Sequence, residues 1–197
     1  MEFSDITHDT QTLYRLKENE RRVFFLLNRS GDITIELTGI GAEAHVFAFF
    51  IGRNTEKSVL TITQKHRAPH TTSRVLVKSV LDDAASFSYH GTLHITPEAT
   101  KSDASQENRN LLLAPEAKAV SEPILEILTN DVRCHHAATT SPLNQDLLFF
   151  AEARGLSKSQ ARTLLVSGFL RSSLEELSAL APSEDSEKML ALMGKIA

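Results

Sequence analysis

Only one cysteine, Cys134, occurs among 197 residues, which excludes an internal disulfide framework and any closed site built from several cysteines of one chain. A complete zinc or iron–sulfur site would need ligands from a second chain. Cationic surplus is also lacking, since 21 Lys and Arg stand against 25 Asp and Glu for a formal charge of −4. No nucleic-acid partner is expected, because gripping a phosphate backbone takes an excess of cations. No apolar run approaches the roughly 18 residues of a spanning helix, and the opening Met-Glu-Phe-Ser-Asp-Ile-Thr lacks the basic and apolar regions of a signal peptide. The expectation is a cytoplasmic protein with no membrane partner. Missing too are a Gly-rich phosphate loop ending in Lys-Ser or Lys-Thr, a Gly-x-Ser-x-Gly elbow and a His-Glu-x-x-His helix, which argues against an independent ATPase or a common hydrolase.

What is present suffices for a core: 41% of the residues are hydrophobic and 23% charged, an ordinary globular composition. Over residues 22–135 the apolar residues alternate, the strand period. Val23, Phe25 and Leu27 share a face, as do Ile33, Ile35 and Leu37, and then Val46, Ala48 and Phe50. Turn-like punctuation separates these sets at Asn28 to Asp32, Gly39 to Gly41, Gly52-Arg53-Asn54, Asp82-Asp83 and Pro97-Glu98. The body is therefore mostly β. Two-residue hairpin signals such as Asn-Gly are scarce, so a β-solenoid with imperfect repeats of roughly 20 to 25 residues competes with a sandwich or a barrel.

After Thr140 the period becomes helical. Ser141-Pro142 predicts one helix start, and the spacings Ser157 to Gln160 and Ser172 to Glu175 predict two more through capping boxes. Gly155 is a stop; Leu164, Leu165 and Phe169 form one stripe, and Leu174, Leu177 and Leu180 another. Pro182 ends that segment, and Ser183 caps a last helix carrying Met189, Leu190, Leu192, Met193 and Ile196. This gives a β domain over 1–140 and a helical subdomain over 141–197. The helices are expected to cover an open end of the β body, whose unpaired backbone groups invite aggregation, or to offer a docking face.

Asp131-Val132-Arg133-Cys134-His135-His136 is the reactive cluster. On a strand, Cys134 and His136 share a face and His135 looks the other way. They form a possible half-site for iron, zinc or copper, although two ligands do not close a site. The plain alternative is a buried cysteine beside surface histidines. His66 and His70 flank a proline loop and are expected to bond to backbone. His90 and His94 lie about 13 Å apart on a regular strand, too far for one ion unless Gly91 makes a bulge. Asp82-Asp83 reads as a turn, because neighbouring strand residues diverge too far for paired acid–base work. The acids are otherwise scattered, which disfavours a polysaccharide-cleaving β-helix enzyme.

The stretches His66-Arg67-Ala68-Pro69-His70-Thr71-Thr72-Ser73 and Ser102-Asp103-Ala104-Ser105-Gln106-Glu107-Asn108-Arg109-Asn110-Leu111-Leu112-Leu113 resemble the SufB/SufD family of iron–sulfur cluster assembly proteins. So do Ser121 to Ile127, Asn130-Asp131-Val132, His136-Ala137-Ala138-Thr139, Leu148-Phe149-Phe150, Arg154-Gly155-Leu156 and Gly168-Phe169-Leu170, in that order. The resemblance implies a right-handed parallel β-helix with a C-terminal helical subdomain, in which Gln106, Asn108 and Asn110 satisfy backbone groups at turns. It implies a non-catalytic, shortened SufD-like scaffold that pairs through its β-helix with a SufB-like subunit or a second copy of itself. Its C-terminal helices would dock a SufC-like ABC ATPase through Leu147, Phe149, Phe150, Arg154, Gly155, Gly168 and Phe169. His136 matches the family histidine implicated in cluster formation at the interface and is the metal-facing candidate, with Cys134 beside it. The iron–sulfur cluster would be transient and confined to that interface, with none in the isolated chain. The Pro-x-Leu-Glu-Ile wording at Pro123 and Ala117, near the place of the SufB-type cysteine, favour the SufD-like branch, and Ala137 removes a SufB-type acid. The alternative is a self-associating structural β-solenoid without redox chemistry.

Overall fold

The computed structural model describes residues 1–180, so Pro182 and the helix expected after Ser183 lie outside the described residues. Eleven strands and two helices follow one another among the described residues: β1 (Glu2–Asp5), β2 (Leu13–Leu16), β3 (Arg21–Leu27), β4 (Gly31–Leu37), β5 (Glu43–Gly52), β6 (Lys57–His66), β7 (Thr72–Leu81), β8 (Ser86–Ile95), β9 (Ser102–Leu112), β10 (Lys118–Ile127), β11 (Val132–Pro142), α1 (Gln145–Glu152) and α2 (Lys158–Leu180). The odd strands form one sheet in the order β1-β3-β5-β7-β9-β11, and the even strands form the other, β10-β8-β6-β4-β2. All the pairings are parallel. The chain thus crosses from sheet to sheet with every turn and winds into a β-solenoid.

Alternation specifies the inside of each coil. Ile33, Ile35 and Leu37 of β4 meet Val46, Ala48 and Phe50 of β5, then Leu60, Ile62, Val75, Val77, Phe87 and Tyr89 from later coils, in one continuous core. The Phe50 and Phe87 rings stack at 4.3 Å between centroids. Turns fall where the punctuation placed them: Asn28, Asn54 and Asp83 have φ of 51°, 56° and 52°, the left-handed region that Asn and Asp tolerate best after glycine.

The repeat is longer than 20 to 25 residues over most of the solenoid. Register partners lie 22 residues apart from β3 to β5 (Arg21 with Glu43), 29 from β5 to β7 (Glu43 with Thr72), 31 from β7 to β9 (Thr72 with Asp103) and 30 from β9 to β11 (Asp103 with Arg133). The extra residues lengthen the strands, from 4 in β1 and β2 to 11 in β9 and β11.

The helices cover a sheet face rather than an end. Val23 and Phe25 of β3, Phe47 and Phe49 of β5, Val80 of β7 and Leu111 of β9 point outward from the odd-strand sheet and pack with Leu143, Leu148, Ala151, Ala161, Val166, Leu170, Leu174 and Leu177. Val23, Phe25 and Leu27 do share a face, but it is this outer one; Phe24 and Leu26 supply the interior. A sheet buried on both faces loses clean alternation.

Capping differs in two places. Ser141 and Pro142 remain in β11, paired with Leu111 and Leu112, and Asn144 caps α1 by accepting from the Leu147 N–H at 3.0 Å. The Ser157–Gln160 box forms, with bonds of 2.8 and 3.3 Å. The Ser172–Glu175 box does not, because α2 runs unbroken through it: Val166, Leu170, Leu174 and Leu177 hold one buried stripe, and Ser172 Oγ accepts instead from Lys78 Nζ at 3.1 Å. Leu164, expected in a stripe, is exposed.

Candidate functional site at the open coil

Strands β10 and β11 end their sheets, each paired on one side only, with β8 and β9. In register, Cys134 lies beside Ala104, His136 beside Gln106 and Ala138 beside Asn108, all three of them fully buried positions of β9. Cys134 and His136 therefore belong to the inward-facing row, and His135, beside Ser105, faces out. Since no further coil among the described residues covers this row, Cys134 is exposed and His136 half-buried. Leu125 and Ile127, in register with the buried Leu93 and Ile95 on the inward row of β10, and Leu128 after it are also exposed, an apolar rim to this end.

Partial burial lowers the pKa of His136, with His135 adding repulsion, and raises that of Cys134, with Asp103 acting the same way. At neutral pH the pair is a neutral imidazole and a protonated thiol. The imidazole is ready to ligate, whereas the thiol must first lose its proton. Among the described residues no three His, Cys, Asp or Glu side chains converge on a metal position, so these donors amount to half a site.

Behind the row lies a polar interior that the sequence reading missed. Gln64, His66, Thr71, Ser73, Ser102, Gln106, Asn108 and Asn110 are all buried. His66 is no backbone-bonded loop residue: Nδ1 meets Thr71 Oγ1 and Nε2 meets Ser73 Oγ, both at 2.7 Å. Gln106, Asn108 and Asn110 stand inside β9, not at turns. Asn110 Nδ2 donates to Asn108 Oδ1, and Ser79 Oγ donates to Asn110 Oδ1, both at 2.7 Å. The signal was available as polar residues at every second position, Ser102, Gln106, Asn108 and Asn110, in phase with Ala104.

The other candidates have separate places. His90 and His94 face outward and pair individually with Glu122 (3.0 Å) and Glu126 (3.5 Å). Gly91 makes no bulge, pairing regularly with Ile62 and Pro123. His70 occupies a left-handed turn, and Asp82 pairs with Arg162 of α2. Ala117 is buried in the main core.

A second surface lies on the helices. Leu147, Phe149, Phe150 and Leu164 are exposed, Phe149 to 72%, and the Arg154 guanidinium sits 3.5 Å from the Phe150 ring centroid. Gly155 turns the chain after α1 with φ of +92°. Gly168 is exposed on α2, while Phe169 packs toward the sheet. Among the described residues no helix is long and apolar enough to cross a membrane.

Comparison with known proteins bears on this arrangement. Residues 28–169 match the family described as SUF system FeS cluster assembly, SufBD core domain. An iron–sulfur cluster assembly SufBD family protein of Synechocystis sp. is 33% identical over 126 residues, 64% of this chain and 27% of that protein. The iron–sulfur cluster assembly protein SufD of Escherichia coli is 28% identical over 131 residues, covering 66% and 30%. SufD of Bacillus subtilis is 31% identical over 157 residues, covering 80% and 35%. The aligned part of the chain thus corresponds to between 27% and 35% of the length of these relatives. With most of its solenoid, both terminal strands and α1 inside the matched segment, the chain belongs to the SufBD family of iron–sulfur cluster assembly proteins.

Proposed function

We infer that the chain acts as a SufD-like, non-catalytic scaffold subunit of a SufBCD-type assembly in the cytoplasm. The observation that carries the reading is the inward row of β11, where Cys134 and His136 stand on one face at an end that no further coil among the described residues covers. A SufB-like subunit, or a second copy of this chain, would pair through β10 and β11 and bring the missing ligands. His136 would present its imidazole to an iron–sulfur cluster held only transiently between the two subunits. The exposed Leu147, Phe149, Phe150 and Leu164 surface, with Arg154, Gly155 and Gly168 nearby and Phe169 supporting α2 from beneath, would dock a SufC-like ABC ATPase.

The test is co-expression with SufB-like and SufC-like partners and anaerobic purification, with iron and sulfide measured for wild type and His136→Ala. A ternary complex whose cluster content falls in the variant supports the reading, and unchanged content removes the role of His136. One observation favours a second reading: β10 and β11 leave backbone hydrogen-bonding groups and apolar side chains exposed at one end, the combination by which a structural solenoid self-associates. A folded chain that forms assemblies of itself and binds neither partner would support that alternative.

A further inference from the structure

Two buried polar atoms without partners among the described residues lie on adjacent strands: Gln106 Oε1 and His136 Nδ1. Their residues are register partners on the inward row of β9 and β11; as placed the two atoms do not bond each other, but neighbouring strands run about 4.8 Å apart, a gap that a side-chain rotation leaning the two the same way closes. One atom can accept a hydrogen bond and the other can donate one.

The interior network fixes which is which. Thr71 Oγ1 lies within hydrogen-bond distance of the Ala68 carbonyl at 3.1 Å and of His66 Nδ1 and Ser102 Oγ, both at 2.7 Å, which ties His66 into the network without fixing its tautomer. His66 Nε2 meets Ser73 Oγ at 2.7 Å. Gln64 Nε2 reaches both Ser73 Oγ at 2.6 Å and the Ser105 carbonyl at 3.3 Å; a carbonyl accepts only, so the amide nitrogen of Gln64 is the atom placed there. Its oxygen accepts from Gln106 Nε2 at 3.3 Å. Gln106 is thereby left with a bare oxygen as its free atom. The main-chain carbonyl of Ser105, the residue before Gln106 on β9, sets this polarity through Gln64.

Gly91 makes the arrangement possible. A Cβ at Gly91 would meet Oε1, Nε2 and Cδ of Gln106 at 2.4 to 2.5 Å, so the amide lies against the glycine backbone across the coil.

We propose that Gln106 is a positioning residue that accepts the Nδ1–H of His136, holding the imidazole as the Nδ1–H tautomer with Nε2 bare toward the open coil. This deepens the assembly reading, on which the value of a bare Nε2 rests: a ligating histidine is normally oriented by a bond at its other nitrogen. The pairing itself belongs to the free chain.

Long-range proton–nitrogen correlation on the 15N-labelled free chain at neutral pH reads each histidine tautomer directly. His136 should appear as the Nδ1–H form. Gln106→Met, close in shape but without the amide acceptor, should move the tautomer ratio by about fivefold toward Nε2–H, the factor one ordinary hydrogen bond contributes. Gly91→Ala, which displaces the amide while leaving Gln106 in place, should act in the same direction. The His66 signal, held by Thr71 and Ser73, reports in each variant that the interior is intact. An Nε2–H form of His136 in the wild type, or an unchanged ratio in whichever variants keep the His66 signal, overturns the proposal. No partner or cluster enters this experiment, so an observed Gln106-dependent tautomer together with normal cluster content in His136→Ala would leave the pairing standing and remove only the assembly role.

Discussion

Lys78 Nζ, buried beneath α2, donates to the main-chain oxygen of Phe169 at 2.5 Å and sits 4.8 Å from the centroid of the same residue's ring. On β7 it stands in register between Phe49 and Arg109, which puts an ammonium at the contact between sheet and helix. Burial, reinforced by Arg109, pushes its pKa from 10.5 down to about 8.

The sign of the resulting pH dependence follows from proton counting. Between about 8 and 10.5 the unfolded chain holds the Lys78 proton more firmly than the folded one, so this residue's contribution to stability rises with pH across that window. Lys78→Met should remove that slope. At pH 7 it should be neutral or stabilising by about 1 kcal/mol, since replacing a buried ion with an apolar side chain removes its desolvation cost. Urea midpoints at pH 7 and pH 9.5 for both proteins check this.

Acid should act through His66. Burial, with Arg74 adding repulsion, lowers its pKa from 6.5 to about 4, so its contribution is fully present above 6.5 and is lost as pH falls toward 4. At about 1.4 kcal/mol per unit the loss is on the order of 3 kcal/mol. A His66→Gln variant should be less stable at pH 7 yet show a flatter acid limb between these pH values in denaturant titrations.

Aromatic residues inside and outside the solenoid should separate stability from binding. Phe50→Ala or Phe87→Ala breaks the 4.3 Å ring stack in the interior and should cost about 3–5 kcal/mol. Phe149→Ser, at a position 72% exposed, should change stability by no more than about 0.5 kcal/mol while weakening attachment of a SufC-like ATPase. Thermal unfolding and a pull-down with that ATPase make the two measurements.

Charging the apolar rim should test the open coil as an interface. Leu125→Lys with Ile127→Lys puts two cations on the inward row of β10, where both parent side chains are exposed. Association with a SufB-like subunit or a second copy should weaken by at least about tenfold, read by sedimentation, with the circular dichroism of the free chain unchanged.

How much of this was legible in advance depends on how many faces each strand buries. β4 alternates cleanly through Ile33, Ile35 and Leu37, because Asp32 and Thr34 face away from the core. β3 buries Val23, Phe24, Phe25 and Leu26 in succession, so alternation cannot say which set is inside. Cys134 and His136 sharing a face was readable, since strand period alone decides it. The polar interior behind them was not, because Gln and Asn next to charged neighbours look like turn residues until Gln64, Ser73 and Gln106 are brought together from three strands. The Ser172–Glu175 spacing misled for a similar reason: a capping box is local chemistry, and the sheet beneath α2 outweighs it.

Lengthening of the repeat from 22 to about 30 residues along the solenoid makes the body a tapered wedge, with 4-residue strands at one end and 10- and 11-residue strands at the other. Stacking a 10- or 11-residue edge on a 4-residue edge would leave much of the longer strand unpaired. Only another broad end has the same cross-section. In the pairing proposed above, the taper therefore favours a closed, mouth-to-mouth contact over an endless fibre, which would set the two inward rows opposite each other across the seam.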